Sequence, residues 1–336
     1  MSRFGASILD ADGVELSREE RAFFRDANPF GFILFARNVQ SETQLYRLCN
    51  QMRDAVGRDA PITIDQEGGR VQRLRAPLWR EWLPPLEQAT RAGEQAARSF
   101  YLRFRLIAEE LRRCGIDSNC APMLDIAFDE THDFLRNRCY GTDIDMISEI
   151  GRAASQGLLE GGVLPVAKHI PGHGRAQADS HFELPSVNIS RDELIATDGA
   201  PFAALSDIPM GMTAHIRYPQ IDDQPATLSK TVMDLIRHDL GFDGLIMTDD
   251  ISMKALEGDL GTLSRAALAA GCDVILHCNG TLKERMTVAD AAGEMTDEAQ
   301  RRAENALEQR KSPQDIDISA LDAELEALLN GRVNAS

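Results

Sequence analysis

Apolar residues gather in eight short runs: "ASILD" (6–10), "GFILFA" (31–36), "PITIDQ" (61–66), "SNCAPMLDI" (118–126), "LPVAKH" (164–169), "MGMTAH" (210–215), "GLIMTDD" (244–250) and "CDVILHCN" (272–279). Their polar–apolar alternation is weak, as in strands covered on both faces. Helical periodicity fills most of the gaps. Ser17 with Glu20 makes a capping box ahead of one helix, and a long amphipathic run at 86–114 stops at Gly115. A third helix over 143–160 ends in Gly161–Gly162. In "LSKTVMDLIRHDLG" Ser229 is the N-cap and Gly241 the stop. Strand–helix alternation repeated eight times predicts an α/β fold, a single (β/α)8 TIM-type barrel, over the alternative of an open doubly wound sheet. One domain is expected over 1–336, with its core at about 5–310 and a peripheral C-terminal helix at about 317–331. No repeat, low-complexity tract or interdomain linker interrupts the pattern.

The polar residues that end these runs, Asp65, Asp125, Lys168–His169, His215 and Asp249–Asp250, would share one face of the barrel. That is the C-terminal face, where βα loops converge and barrel enzymes keep their active sites. Composition narrows the partners. With 53 acidic against 36 basic residues the net charge is −17, a poor match for a nucleic-acid surface, which rests on phosphate neutralisation. No apolar run approaches the ~20 residues of a membrane span, and the N-terminus lacks an apolar export segment. Six dispersed cysteines without a C-x-x-C pair suggest free thiols in a reducing compartment. A cytoplasmic protein with no nucleic-acid or membrane partner is expected.

Four stretches carry candidate chemistry. In "GLIMTDDISM" adjacent Asp249 and Asp250 face opposite ways if extended, so one would enter the barrel mouth. An aspartate there is either a helix N-cap or a carboxylate nucleophile able to form a glycosyl ester. "KHIPGHGRAQADSHFELP" (168–185) offers His169, His173, Asp179 and His181. As metal ligands they lack helical alignment, because Pro171 and Gly172 intervene, and they match no zinc spacing. No metal and no cofactor are expected. As an acid–base pair, Asp179 could receive one imidazole N–H of His181 and leave the other nitrogen for proton exchange. "IDQEGGRVQRL" (64–74) supplies Asp65, Arg70 and Arg73 for hydroxyls, or is simply a capped turn. "RNRCYGTD" (136–143) supplies Arg136 and Arg138, or is solvated surface.

In this order and spacing, "DQEGGRVQR", "KHIPGHG…DSH" and "TDDISM" resemble the single-domain bacterial β-N-acetylglucosaminidases of glycoside hydrolase family 3, from about residue 5 to 280. The resemblance implies a retaining hydrolase removing terminal β-linked N-acetylglucosamine. Asp249 would be the nucleophile, His181 the acid/base and Asp179 its orienting carboxylate. Asp65, Arg138, Lys168 and His169 would bind the sugar, with Arg73, His215 and Met253 at or near the same pocket. Arg136 departs from the family's usual opening of that loop. The implied substrate is a cell-wall fragment, N-acetylglucosamine on 1,6-anhydro-N-acetylmuramic acid, handled by a monomer. Three alternatives keep the barrel: a phosphorylase using the same site, substrate-assisted catalysis through the acetamido oxygen, and a metal-dependent hydrolase. A non-catalytic sugar-binding protein is a fourth. Products formed in phosphate buffer, covalent trapping, chelation and turnover itself separate them.

Overall fold

The structure, a computed structural model, describes residues 3–177 and 183–330. Eight strands form its centre: β1 (Gly5–Leu9), β2 (Pro29–Leu34), β3 (Ile62–Ile64), β4 (Ser118–Asn119), β5 (Leu164–Ile170), β6 (Met210–Thr213), β7 (Leu245–Met247) and β8 (Ile275–His277). Each coincides with one of the eight apolar runs. Every residue in all eight is buried, which accounts for the weak alternation: side chains facing inward meet the barrel interior and those facing outward meet helices.

The order is β7-β6-β5-β4-β3-β2-β1-β8, and every pairing is parallel. Closure between β7 and β8 rests on the parallel bridge Met247–Val274. It is reinforced by Thr248 N–H to Val274 O at 3.1 Å and by Leu276 N–H to Thr248 Oγ1 at 3.0 Å. The sheet is thus an eight-stranded (β/α)8 barrel rather than an open doubly wound sheet.

Helices α1 (Arg18–Ala27), α2 (Glu42–Val56), α3 (Pro85–Ala92), α4 (Ala96–Arg113) and α5 (Ile144–Glu160) flank the first half. The predicted capping box is present: Ser17 Oγ accepts from Glu20 N–H while the Glu20 carboxylate accepts from Ser17 N–H. The single helix expected over 86–114 is instead two. Gly93 adopts φ 54° and breaks the ladder between α3 and α4, although amphipathic spacing continues across it. Helices α4 and α5 pack closely; a Cβ on Gly157 would lie 2.6 Å from Tyr101 O, so only glycine allows that approach.

In the second half, Ser229 caps α6 (Lys230–Asp234) as expected, and the chain widens into a π-helical turn over Leu235–Asp239 before Gly241. Helices α7 (Leu260–Ala270), α8 (Leu282–Ala292) and α9 (Asp297–Glu308) follow. The C-terminal helix α10 (Ile318–Asn330) is joined to α4 through Arg98 and Glu324 and to the 66–82 region through Arg80 with Asp322 and Glu326. Among the described residues no helix is long and apolar enough to cross a membrane.

Candidate active site

The C-terminal ends of the strands surround a cavity of about 470 Å³. β3 delivers Asp65, β5 delivers Lys168 and His169 across a cis peptide, β7 delivers Asp249, and β8 delivers Cys278 and Asn279. Two walls differ in character. One carries Asp65, Arg73, Arg138, Lys168 and His169, whereas Ile33, Phe35, Met212, Met253, Leu276 and Cys278 make the other largely apolar. Six of the residues singled out from sequence (Asp65, Arg73, Arg138, Lys168, His169 and Met253) therefore line the same cavity as Asp249. A pocket in which charged groups converge beside apolar side chains suits one small polar ligand.

The polar wall is a ribbon of alternating charge. Arg138 donates from Nε and Nη2 to the two carboxylate oxygens of Glu67 at 3.0 and 2.8 Å. Lys168 Nζ reaches Glu67 Oε1 at 2.6 Å and Asp65 Oδ1 at 3.0 Å, and Arg73 pairs with Asp65 Oδ2 at 2.9 Å. Burial by itself would raise the pKa of both carboxylates. The adjacent cations reverse this, holding Glu67 at about 2 and Asp65 well below the usual range, and Lys168 is held charged above its ordinary value against the pull of its own burial.

The fold fixes this ribbon from below. Residues Gln66–Gly68 pair with Val71–Gln72 in a short hairpin after β3. The buried Arg103 guanidinium of α4 reaches under it, donating to the carbonyls of Glu67 and, at 2.9 Å, Leu83. Gly68, at φ 114°, has no room for a side chain, since a Cβ would fall 1.6 Å from Arg103 Nη2. The two glycines of "QEGGR" thus serve close packing, Gly68 on the guanidinium and Gly69, at φ 57°, on Pro84.

His169 is oriented by Asp125. Its Nδ1 lies 2.7 Å from Asp125 Oδ2, while Asp125 Oδ1 accepts the backbone N–H of His173 at 2.6 Å. Asp125 is wholly buried, which opposes its charge; the neighbouring histidines and the His173 N–H outweigh that and keep its pKa low. Burial, with His169 nearby, pushes His173 down to about 4. Among the described residues no group of three or more His, Cys, Asp or Glu is arranged to hold a metal ion.

Asp249 sits at the cavity end of β7. Its Oδ1 accepts the Asp250 N–H at 2.8 Å. Burial works against its charge, but His215, His169, that N–H and Lys168 more than offset it, and the carboxyl is ionised below its ordinary range. Asp250 behaves differently: its Oδ1 is taken by Ser252 N–H, Ser252 Oγ and Cys278 N–H at 3.0, 2.8 and 3.1 Å. It ties the loop after β7 to the end of β8. Both aspartates line the cavity, but Asp250 also braces the loop.

His215 is fully buried and is not among the cavity-lining side chains. Its Nε2 lies 3.0 Å from the Asp250 carbonyl and its Nδ1 2.8 Å from Thr227 Oγ1. The Thr227 hydroxyl itself donates to the Ala214 carbonyl at 3.1 Å. The place of His215 is therefore behind the loop that carries Asp249 and Asp250, where it touches that loop's backbone. Arg136 also lies off the cavity, bracing the carbonyls of Phe128 and Asp129. Asp179 and His181 lie outside the described residues. Glu67 and Asp125 are the residues that sequence reasoning left without a role. Glu67 had a readable signal: in extended chain it shares a face with Asp65, two residues earlier.

Residues 7–310 match the glycosyl hydrolase family 3 N-terminal domain. A β-hexosaminidase of Bordetella avium is 35% identical over 294 residues, which span 82% of this chain and 81% of that protein. Native NagZ from Neisseria gonorrhoeae has the same fold, with a TM-score of 0.83 at 29% identity over 98% of either chain. The same protein in complex with N-trifluoroacetyl-D-glucosamine gives 0.79 at 28% identity, covering 98% of this chain and 99% of that one. With a parallel barrel, strand-end carboxylates and a family match over most of its length, the chain belongs to glycosyl hydrolase family 3 and is a glycoside hydrolase of the β-hexosaminidase kind.

Proposed function

We propose that this enzyme is a retaining exo-β-N-acetylglucosaminidase, with Asp249 as nucleophile and His181, oriented by Asp179, as acid/base. The observation that carries the reading is the ionised Asp249 carboxylate at the cavity end of β7, facing a wall of charged hydrogen-bonding groups. One Asp249 oxygen is occupied by the Asp250 N–H. The other attacks the anomeric carbon as the glycosidic oxygen takes a proton from His181 and departs. The resulting ester is opened by water, whose proton returns to His181 as its oxygen bonds to the anomeric carbon. Charge-assisted donors on Lys168 and Arg138 hold the sugar hydroxyls through both steps, while Met253 and the apolar wall cover the rest of the ring.

A 2-acylamido sugar as the glycone is supported by the N-trifluoroacetyl-D-glucosamine complex of the Neisseria relative. A cavity of about 470 Å³ accommodates one terminal residue, which favours exo action. The family resemblance points to N-acetylglucosamine linked to 1,6-anhydro-N-acetylmuramic acid, and so to recycling of cell-wall fragments in the cytoplasm. All six cysteines are buried free thiols, the state a reducing compartment maintains.

Incubation with a 5-fluoro-N-acetylglucosaminyl fluoride, followed by peptide mass spectrometry, tests the mechanism. A glycosyl adduct on the peptide containing Asp249 is expected. Turnover with no adduct on any carboxylate refutes the covalent route. Truncating His181 to Ala should slow substrates with poor leaving groups far more than activated aryl glycosides, which need little protonation; equal losses on both refute its assignment as acid.

A further inference from the structure

Glu67 is 2% exposed and does not line the cavity, yet its carboxylate is where the two deepest cations of the polar wall meet. From Arg138 through Glu67, Lys168 and Asp65 to Arg73 the charges run plus, minus, plus, minus, plus. The proposed ligand of this wall is a neutral sugar, which brings no charge of its own. Arg138 and Lys168 must therefore be balanced from within the protein, or two buried like charges would face each other across the site.

We infer that Glu67 is a positioning residue for glycone recognition: it fixes Arg138 and Lys168 side by side and aims their remaining N–H groups at the sugar without touching it. Donor counting supports this. Lys168 spends two of its three N–H bonds on Glu67 and Asp65 and keeps one; Arg138 spends two of five on Glu67 and keeps three. A fork-to-fork carboxylate contact fixes the guanidinium plane, which a single contact would leave free to rotate. Glu67 is itself immobilised, because Arg103 grips its carbonyl and Gly68 packs directly on that guanidinium. The strong retention of charge on Glu67 and Lys168 is in keeping with this role.

The inference rests on the proposed assignment of Lys168 and Arg138 as sugar-binding groups, so the experiment includes Lys168→Met as a control. The inhibition constant of N-acetylglucosamine and KM for an aryl β-N-acetylglucosaminide are measured for wild type, Glu67→Gln, Glu67→Asp and Lys168→Met. Loss of outer partners of metal ligands typically weakens function by about 10- to 100-fold, and the same range is expected here. In Glu67→Gln both constants should rise together by roughly that factor, with kcat changing less, as befits lost uniform binding. Its inhibition constant should also begin to weaken at lower alkaline pH than in wild type, because Lys168 has lost its nearest counter-charge. Glu67→Asp, which keeps the charge one methylene short, should fall between Gln and wild type; it also serves if the Gln variant does not fold. An inhibition constant unchanged in Glu67→Gln, or in Glu67→Asp, with only the melting temperature lowered, overturns the inference. If Lys168→Met alone weakens sugar binding, the site reading survives and the role of Glu67 falls. If Lys168→Met changes nothing, both fall.

Discussion

His173 offers a quantitative test of the buried polar network behind the cavity. The residue is 3% exposed, its backbone N–H is given to Asp125, and its ring stands 5.6 Å from that of His169. Burial, then the neighbouring His169, keeps the imidazole neutral and lowers its pKa from an ordinary 6.5 to about 4. Because the folded value lies below the unfolded one, the unfolded chain takes up the extra proton between pH 6.5 and 4. Stability is therefore full above pH 6.5 and is lost as pH falls through that window. The whole gap corresponds to about 3 kcal/mol, and about 2 kcal/mol of it is lost between pH 7.0 and 4.5. Urea unfolding followed by far-ultraviolet circular dichroism at the two pH values, on wild type and His173→Gln, isolates the contribution. The carboxylates Asp65, Glu67, Asp125 and Asp249, all held low, lose their share mainly below that window and cancel in the difference. Wild type should lose about 2 kcal/mol more than the variant. Parallel losses in both proteins refute the reading of His173 as a buried neutral base.

Three further outcomes follow from the geometry. Asp249→Asn should lower kcat about 10⁴-fold or more while leaving the melting temperature within a few degrees; a variant with wild-type turnover on N-acetylglucosaminides removes the nucleophile from this position. Gly174→Ala should cost about 2 kcal/mol or more in unfolding experiments, because its Cβ would fall 1.9 Å from the Ile126 carbonyl oxygen on rigid backbone; an unchanged midpoint contradicts the packing. Arg285→Met should cost about 3–5 kcal/mol, since the fully buried guanidinium pairs with Asp12 and the Asp10 carbonyl and lies 3.7 Å from Glu20. Calorimetric midpoints equal to wild type would show that these acids are balanced by other groups.

The strands were readable because each is buried on both faces, so apolar runs of the right length mark them without ambiguity. Which residues end those runs was readable for the same reason, and it brought Asp65, Lys168, His169 and Asp249 to one cavity. What escaped depends on contacts between distant segments. Gly93 ends α3 through a left-handed dihedral while helical spacing runs on past it. His215 reads as a strand-end histidine equivalent to His169, yet Thr227 and the Asp250 carbonyl draw it behind the wall. Glu67 sits in a short hairpin strand ahead of two glycines, and it is Arg103, 36 residues away, that holds its carbonyl. Asp249 and Asp250 are chemically identical, and only the Ser252 and Cys278 N–H groups assign Asp250 to bracing.

The barrel closes beside Asp249: β7 meets β8 through a bridge at Met247 and Val274, two residues before that carboxylate. A growing polypeptide released before the eighth strand lacks the partners of the loop around that carboxylate, since Thr248, Ile251 and Asp250 all take or give bonds to residues 274–278. An ordered cavity thus arrives only with the last stave of the ring.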